Sequence, residues 1–206
     1  MSLKILDCTL RDGGYYTNWD FDHNLVETYI KAFNSLPVEY LEVGYRSLPM
    51  KKYLGKYFYS PTTVLDGLRE LSNKKLVVIL DEKDVTAADA ELLLSPVKNH
   101  IDMVRMAIDP KSFKRALGLA EEVKRLGFEV GFNVMYMSAW AEQKEFLELI
   151  KEVDGLADYF YMVDSYGGVF PQDIKDTMDL IRSKTDVKLG FHGHNNLELA
   201  LINTLT

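Results

Sequence analysis

Seven short runs rich in Val, Ile, Leu, Phe and Tyr alternate with longer amphipathic stretches along these 206 residues. That alternation restricts the fold more than any other feature of the chain. The spacing predicts strands at 4–9, 40–44, 75–80, 103–107, 129–136, 159–164 and 188–191. Several are apolar on both faces, the pattern of a parallel sheet covered by helices. Helical patterns fall between them, at 24–35, 61–71, 87–94, 110–126, 142–153, 172–184 and 197–206. Asp109 followed by Pro110 opens one of these as an N-cap with proline in the first turn, and Gly127 closes it.

Seven βα units of about 29 residues each imply a parallel α/β fold in one domain spanning 1–206. An open doubly wound sheet and a (β/α)8 TIM barrel both satisfy the alternation, and a barrel needs an eighth unit. The chain closes on a helix-like apolar stretch, Leu199-Ala200-Leu201-Ile202-Asn203-Thr204-Leu205-Thr206, without a capping residue. The expectation is a barrel truncated before its eighth strand.

Charge and cysteine content exclude several function classes. Lys and Arg number 24 against 31 Asp and Glu, a net charge of −7, which argues against a nucleic-acid-binding domain. No apolar run approaches the roughly 20 residues of a membrane helix. A single Cys rules out an internal disulfide framework and predicts a reducing, cytoplasmic setting.

Chemistry-bearing residues collect at predicted strand ends, the ligand face of any parallel α/β fold. His192-Gly193-His194 ends the seventh strand, and residues two apart on an extended strand face the same way. Two imidazoles placed so can share a metal ion, and hydrogen-bonded strand-end histidines are the open alternative. Arg11-Asp12-Gly13-Gly14 leaves the first strand, with the glycines read as a tight turn. Glu42, Arg105, Asn133, Asp164 and Ser165 sit at or near other strand ends. A charged residue inside an apolar strand is costly unless paired, so Glu42 and Arg105 predict an ion-pair network, catalytic or purely structural. The basic, aromatic segment Met50–Tyr59 reads as an anion-binding lid or a subunit contact. Cys8 reads as a packed side chain rather than a nucleophile, and Trp19 and Trp140 as packing or rim residues.

Taken together, Asp7-Cys8-Thr9-Leu10-Arg11-Asp12-Gly13, Leu41-Glu42-Val43-Gly44 and His192-Gly193-His194-Asn195-Asn196 resemble the DRE-TIM metallolyase superfamily. The resemblance is greatest to its 4-hydroxy-2-oxovalerate aldolase branch, with Val163-Asp164-Ser165-Tyr166-Gly167-Gly168 adding to it. It implies a TIM barrel with Mn²⁺ or Mg²⁺ held by Asp12, His192 and His194. Arg11 would stabilise the oxygen of a metal-held enolate as a carbon–carbon bond of a 2-oxo acid breaks or forms. Glu42 would orient Arg11, and Arg105, Asn133, Asp164 and Ser165 would bind substrate. A Claisen-type acyltransferase and a non-catalytic metal-binding barrel are the alternatives. The resemblance also implies a homo-oligomer, and an aldehyde dehydrogenase partner as in some aldolases of the group. One position departs from the pattern. A His follows the Arg-Asp-Gly turn in the aldolase branch, whereas this chain has Gly14, Tyr15 and Tyr16, which makes Tyr15 the candidate for proton transfer.

Overall fold

The computed structural model describes residues 3–206. Seven parallel strands form one sheet in sequence order, β1 (Leu6–Asp7), β2 (Tyr40–Tyr45), β3 (Lys75–Asp81), β4 (Met103–Ile108), β5 (Glu129–Val134), β6 (Tyr159–Asp164) and β7 (Lys188–Gly193). Strictly sequential parallel order is barrel order, since a doubly wound sheet reverses direction at a switch point. The sheet curls into a partial barrel whose first and last strands each have one unpaired edge among the described residues.

The helices are α1 (Thr9–Thr17), α2 (His23–Asn34), α3 (Lys56–Tyr59), α4 (Thr62–Leu71), α5 (Ala90–Leu94), α6 (Phe113–Arg125), α7 (Lys144–Leu149), α8 (Pro171–Arg182) and α9 (Ala200–Leu205). Short 3₁₀ turns extend α5, α6 and α7 at their ends. Side-chain caps start two of these segments. The Asp22 carboxylate accepts from Leu25 N at 3.1 Å, and Asp109 from Lys111 N at 2.9 Å. None of the described helices is long and apolar enough to cross a membrane.

Strand alternation sorts the side chains into two layers. Leu41, Val43, Leu76, Val78, Val104 and Val130 face the helices and form the main core. Tyr40, Val77, Met103 and Tyr159 make a separate cluster on the other, concave face, with Leu6 and Tyr161 packed against it. β2 and β4 are buried at every position, whereas β7 is half-buried along most of its length. Leu3 and Ile5 before β1, and Leu201, Ile202 and Leu205 on α9, are exposed.

One expectation needs correction. The first strand is only Leu6–Asp7, and Thr9–Thr17 forms a helix where a turn was expected. Gly14 serves close packing rather than a turn, because a Cβ there would lie 2.0 Å from Trp19 Cδ1. The helix ends at Asn18, whose left-handed φ of 53° and N–H bond to Gly14 O form the C-cap. In Met50–Tyr59, Tyr57 and Phe58 are buried core residues, while Met50, Lys51, Lys52, Tyr53 and Lys56 are exposed. A bulge in β2 between Glu42 and Gly44 makes room for this segment, since a Cβ on Gly44 would meet the Tyr57 carbonyl at 2.0 Å. Trp19 and Trp140 are both buried, which makes them packing rather than rim residues.

Candidate active site

The C-terminal ends of β1, β2, β4, β5 and β7 bring a charged network into the barrel mouth. Its centre is Glu42, fully buried on β2. Glu42 Oε1 accepts from Arg11 Nε at 2.6 Å, and Oε2 accepts from Arg105 Nη1 at 2.8 Å. Burial works against its charge, but Arg105 and Arg11 outweigh that and hold the carboxyl below the usual carboxylate range. Arg105 Nη2 also donates to Asn133 Oδ1, and its guanidinium lies 4.4 Å over the Tyr161 ring. Arg105 and Asn133 therefore buttress Glu42, and through it Arg11.

Arg11 has a further ion pair with Asp12 through Nη1. Its Nη2 is buried and has no described partner. A buried guanidinium N–H left unpaired is costly, so it marks a place prepared for an oxygen ligand. Trp19 Nε1 donates to the Arg11 carbonyl at 2.9 Å and fixes the backbone behind this side chain.

Asp12 faces β7. Its Oδ2 lies 4.0 Å from His192 Nε2 and accepts from Cys8 Sγ at 3.1 Å. Ligand atoms of Cys8, Asp12 and His192 all fall within 4.8 Å of one another. A gap of 4.0 Å is too wide for a hydrogen bond. A carboxylate and an imidazole are both ligand types that a divalent cation accepts. Burial, then Arg105, Arg11 and His194, push the His192 pKa down to about 3. The imidazole is therefore neutral at neutral pH, the form that ligates metal. The donor set thus fits a divalent cation. Burial pushes the Cys8 thiol pKa up, which keeps it a thiol and argues against a nucleophile.

His194 stands outside that tight group, with its ring centroid 5.1 Å from that of His192. Its Nδ1 donates to the Asp164 carbonyl at 2.8 Å, leaving Nε2 free as a ligand atom. The Asp164 carboxylate accepts from Gly168 N at 3.0 Å and Val169 N at 3.2 Å, and Ser165 Oγ accepts from Tyr136 N at 2.9 Å. These two side chains brace the rim loops.

Tyr15 extends from α1 one turn beyond Arg11 and is 62% exposed. Its hydroxyl lies 2.8 Å from that of Tyr45. Sequence reasoning missed Tyr45, and it read Cys8 as a packed side chain rather than as a member of the Asp12–His192 group. Cys8 is detectable in retrospect, because it precedes Asp12 by four residues, one helical turn.

A curled parallel sheet of sequential strands with a carboxylate–imidazole cluster on its C-terminal rim defines a TIM-barrel-type fold carrying a candidate metal site. Residues 2–206 match the HMGL-like family model, and the chain belongs to that family. It is 28% identical to a 4-hydroxy-2-oxovalerate aldolase of Geobacillus thermodenitrificans, over 98% of this chain and 59% of the relative. It is 23% identical to an oxaloacetate decarboxylase of Mycobacterium tuberculosis, with the same coverage of 98% and 59%. The chain thus spans about three-fifths of these curated relatives. Among solved structures, the N-terminal domain of a candidate aldolase from Bacteroides vulgatus superposes with a TM-score of 0.97 at 55% identity. That match covers 98% of this chain and 68% of the other. The carboxyl transferase domain of Rhizobium etli pyruvate carboxylase, with pyruvate and biocytin, shares the fold at a TM-score of 0.78 and 16% identity. It is matched over 98% of this chain and 37% of its own.

Proposed function

We propose that this chain carries the active site of a divalent-metal-dependent lyase that breaks or forms a carbon–carbon bond of a 2-oxo acid through an enolate. The observation that carries this reading is the buried, unpartnered Nη2 of Arg11, whose Nη1 pairs with Asp12, the carboxylate that faces His192. Asp12, His192 and His194 would hold Mn²⁺ or Mg²⁺, which when bound supplies Lewis-acid polarisation of the substrate's keto oxygen. Arg11 places a fixed positive charge where negative charge develops on that oxygen. Glu42, held by Arg105, keeps the guanidinium from swinging away. Relatives named for aldol cleavage and for decarboxylation are consistent with a shared enolate step. The sequence-based expectations of a homo-oligomer, an aldehyde dehydrogenase partner and a cytoplasmic setting accompany this reading.

The test is hydrogen exchange at C3 of pyruvate in D₂O, followed by NMR with Mn²⁺ or Mg²⁺ present. Exchange that needs metal and falls at least tenfold in Arg11→Lys is expected. Metal binding without exchange or turnover would instead favour a non-catalytic barrel, and condensation of acetyl-CoA with a 2-oxo acid an acyltransferase.

We further propose that residues 1–206 supply seven of eight βα units, the eighth pairing with the open edges of β1 and β7. A longer form of the protein should then bind less of a hydrophobic dye than the 206-residue chain. Equal dye binding would count against it.

A further inference from the structure

We infer that Cys8 is a metal ligand of this site, and that the cation it selects is a borderline-soft one of the Zn²⁺ class. The juxtaposition that carries this is a single oxygen, Asp12 Oδ2, which meets both the Cys8 thiol and the His192 imidazole. The inference rests on the metal-dependent reading above and names the class of cation within it.

Three donor atoms of different chemistry converge there. Cys8 Sγ lies 3.1 Å from Asp12 Oδ2, and His192 Nε2 lies 4.0 Å from the same atom. All three fall within 4.8 Å of one another, the one such group among the described residues. The other Asp12 oxygen, Oδ1, is taken by Arg11 Nη1, so the carboxylate is held with Oδ2 turned to the sulfur and the imidazole. His194 is outside this group and is oriented by the Asp164 carbonyl.

The chain gives up a helix cap to place sulfur there. Cys8 occupies the N-cap of α1, where Ser, Thr, Asp or Asn is favoured because the side chain can accept from a backbone N–H. The Cys8 side chain makes no such bond. It reaches along the first turn of the helix instead. There the Asp12 N–H donates to the Cys8 carbonyl at 2.9 Å, which brings residues 8 and 12 onto one face. Cys8 is half-buried and belongs to neither apolar cluster of the described residues, so core packing does not account for it.

The class of cation follows from the donors. Mg²⁺ and Mn²⁺ favour oxygen, whereas Zn²⁺ takes sulfur, imidazole nitrogen and carboxylate oxygen together. Burial, Glu42 and Asp12 keep the thiol protonated on its own. A coordinated cation supplies the opposite charge and displaces that proton. The S–H bond breaks, sulfur keeps the electron pair and donates it to the cation, and the proton leaves to water, which reaches the 35% exposed Asp12 side chain. With Mg²⁺, Cys8 stays a thiol donating to Asp12.

Cys8 is the only thiol in these 206 residues, so a sulfur signal on a bound cation identifies it. The test loads the reduced protein with Co²⁺, a spectroscopic substitute for Zn²⁺, and records the near-ultraviolet thiolate-to-cobalt charge-transfer band. The band is expected in the wild type and absent from Cys8→Ser. Zinc-edge X-ray absorption of the wild type should show one sulfur neighbour, a result that needs no variant to fold. Zn²⁺ outbinds Mn²⁺ at most sites, so the variant supplies the measure of selectivity. In competition titrations the preference for Zn²⁺ over Mn²⁺ should fall at least about tenfold in Cys8→Ser, the lower end of what a lost metal-site interaction costs. Co²⁺ binding without the band, zinc without a sulfur neighbour, or an unchanged preference in folded Cys8→Ser overturns the inference and leaves the lyase reading standing. Absence of any divalent-cation binding sinks that reading and this inference together.

Discussion

The Glu42 carboxylate receives Arg11 Nε at 2.6 Å, with Glu42 fully buried and Arg11 nearly so. A second guanidinium, Arg105, occupies its other oxygen. Removing the carboxylate strands both cations. Glu42→Ala should destabilise the fold by about 3–5 kcal/mol, the usual cost of breaking a buried pair. Urea unfolding followed by circular dichroism would measure it, and a loss below about 1 kcal/mol would contradict this account.

Acid should act in two stages. The His192 pKa is lowered to about 3, so the unfolded chain takes up a proton that the folded chain refuses. Metal-free protein therefore loses stability as pH falls from about 6.5 toward 3. Glu42 has a lowered pKa, so its stabilisation is complete above its ordinary value of 4.5 and is lost as pH falls through the lower folded value. His192→Gln should remove the upper stage and leave the lower. A melting temperature that still falls between pH 6.5 and 5 in that variant as it does in the wild type would rule out the assignment.

Adding Mn²⁺ should raise the melting temperature of the wild type. At a hundredfold excess over Kd the gain is about 2.7 kcal/mol. Asp12→Asn and His192→Gln should abolish most of the shift, because their facing ligand atoms bound the 4.0 Å gap. Differential scanning fluorimetry gives the comparison, and full retention of the shift in both variants would place the metal elsewhere.

Gly14→Ala should cost about 1–3 kcal/mol by overpacking, since its Cβ would overlap the Trp19 ring. Trp19 would move off Arg11, so its fluorescence should shift along with the loss of stability. A fully stable variant with native emission would show that α1 can give way.

The parts of this fold written in local pattern were legible in the sequence. Apolar runs with a period of two or none located all seven strands, and β6 matches its predicted bounds. Barrel order was not legible in the alternation, which fits open and closed sheets alike, but it was implied by the family resemblance of the Asp7–Gly13, Leu41–Gly44 and His192–Asn196 motifs, and the strand order agrees. α1 was hidden because Gly13-Gly14 normally signals a turn, and the close packing of Gly14 against the Trp19 ring, five residues on, is what explains glycine inside a helix there. The Arg11–Glu42–Arg105 network could be anticipated from charges inside apolar strands. Tyr45 could not, since its role depends on a partner thirty residues away and its sequence context is that of any core tyrosine.

Asp12 and His192 belong to opposite ends of the sheet, one just past β1 and the other on β7. No local segment fixes their spacing, so it is set by how tightly all seven strands wind. Any change that flattens the sheet, even far from the mouth, would part the ligands and weaken cation affinity. On the proposed ligand assignment, barrel curvature would control metal occupancy, and a cation seated there would in turn act as a clasp resisting unwinding.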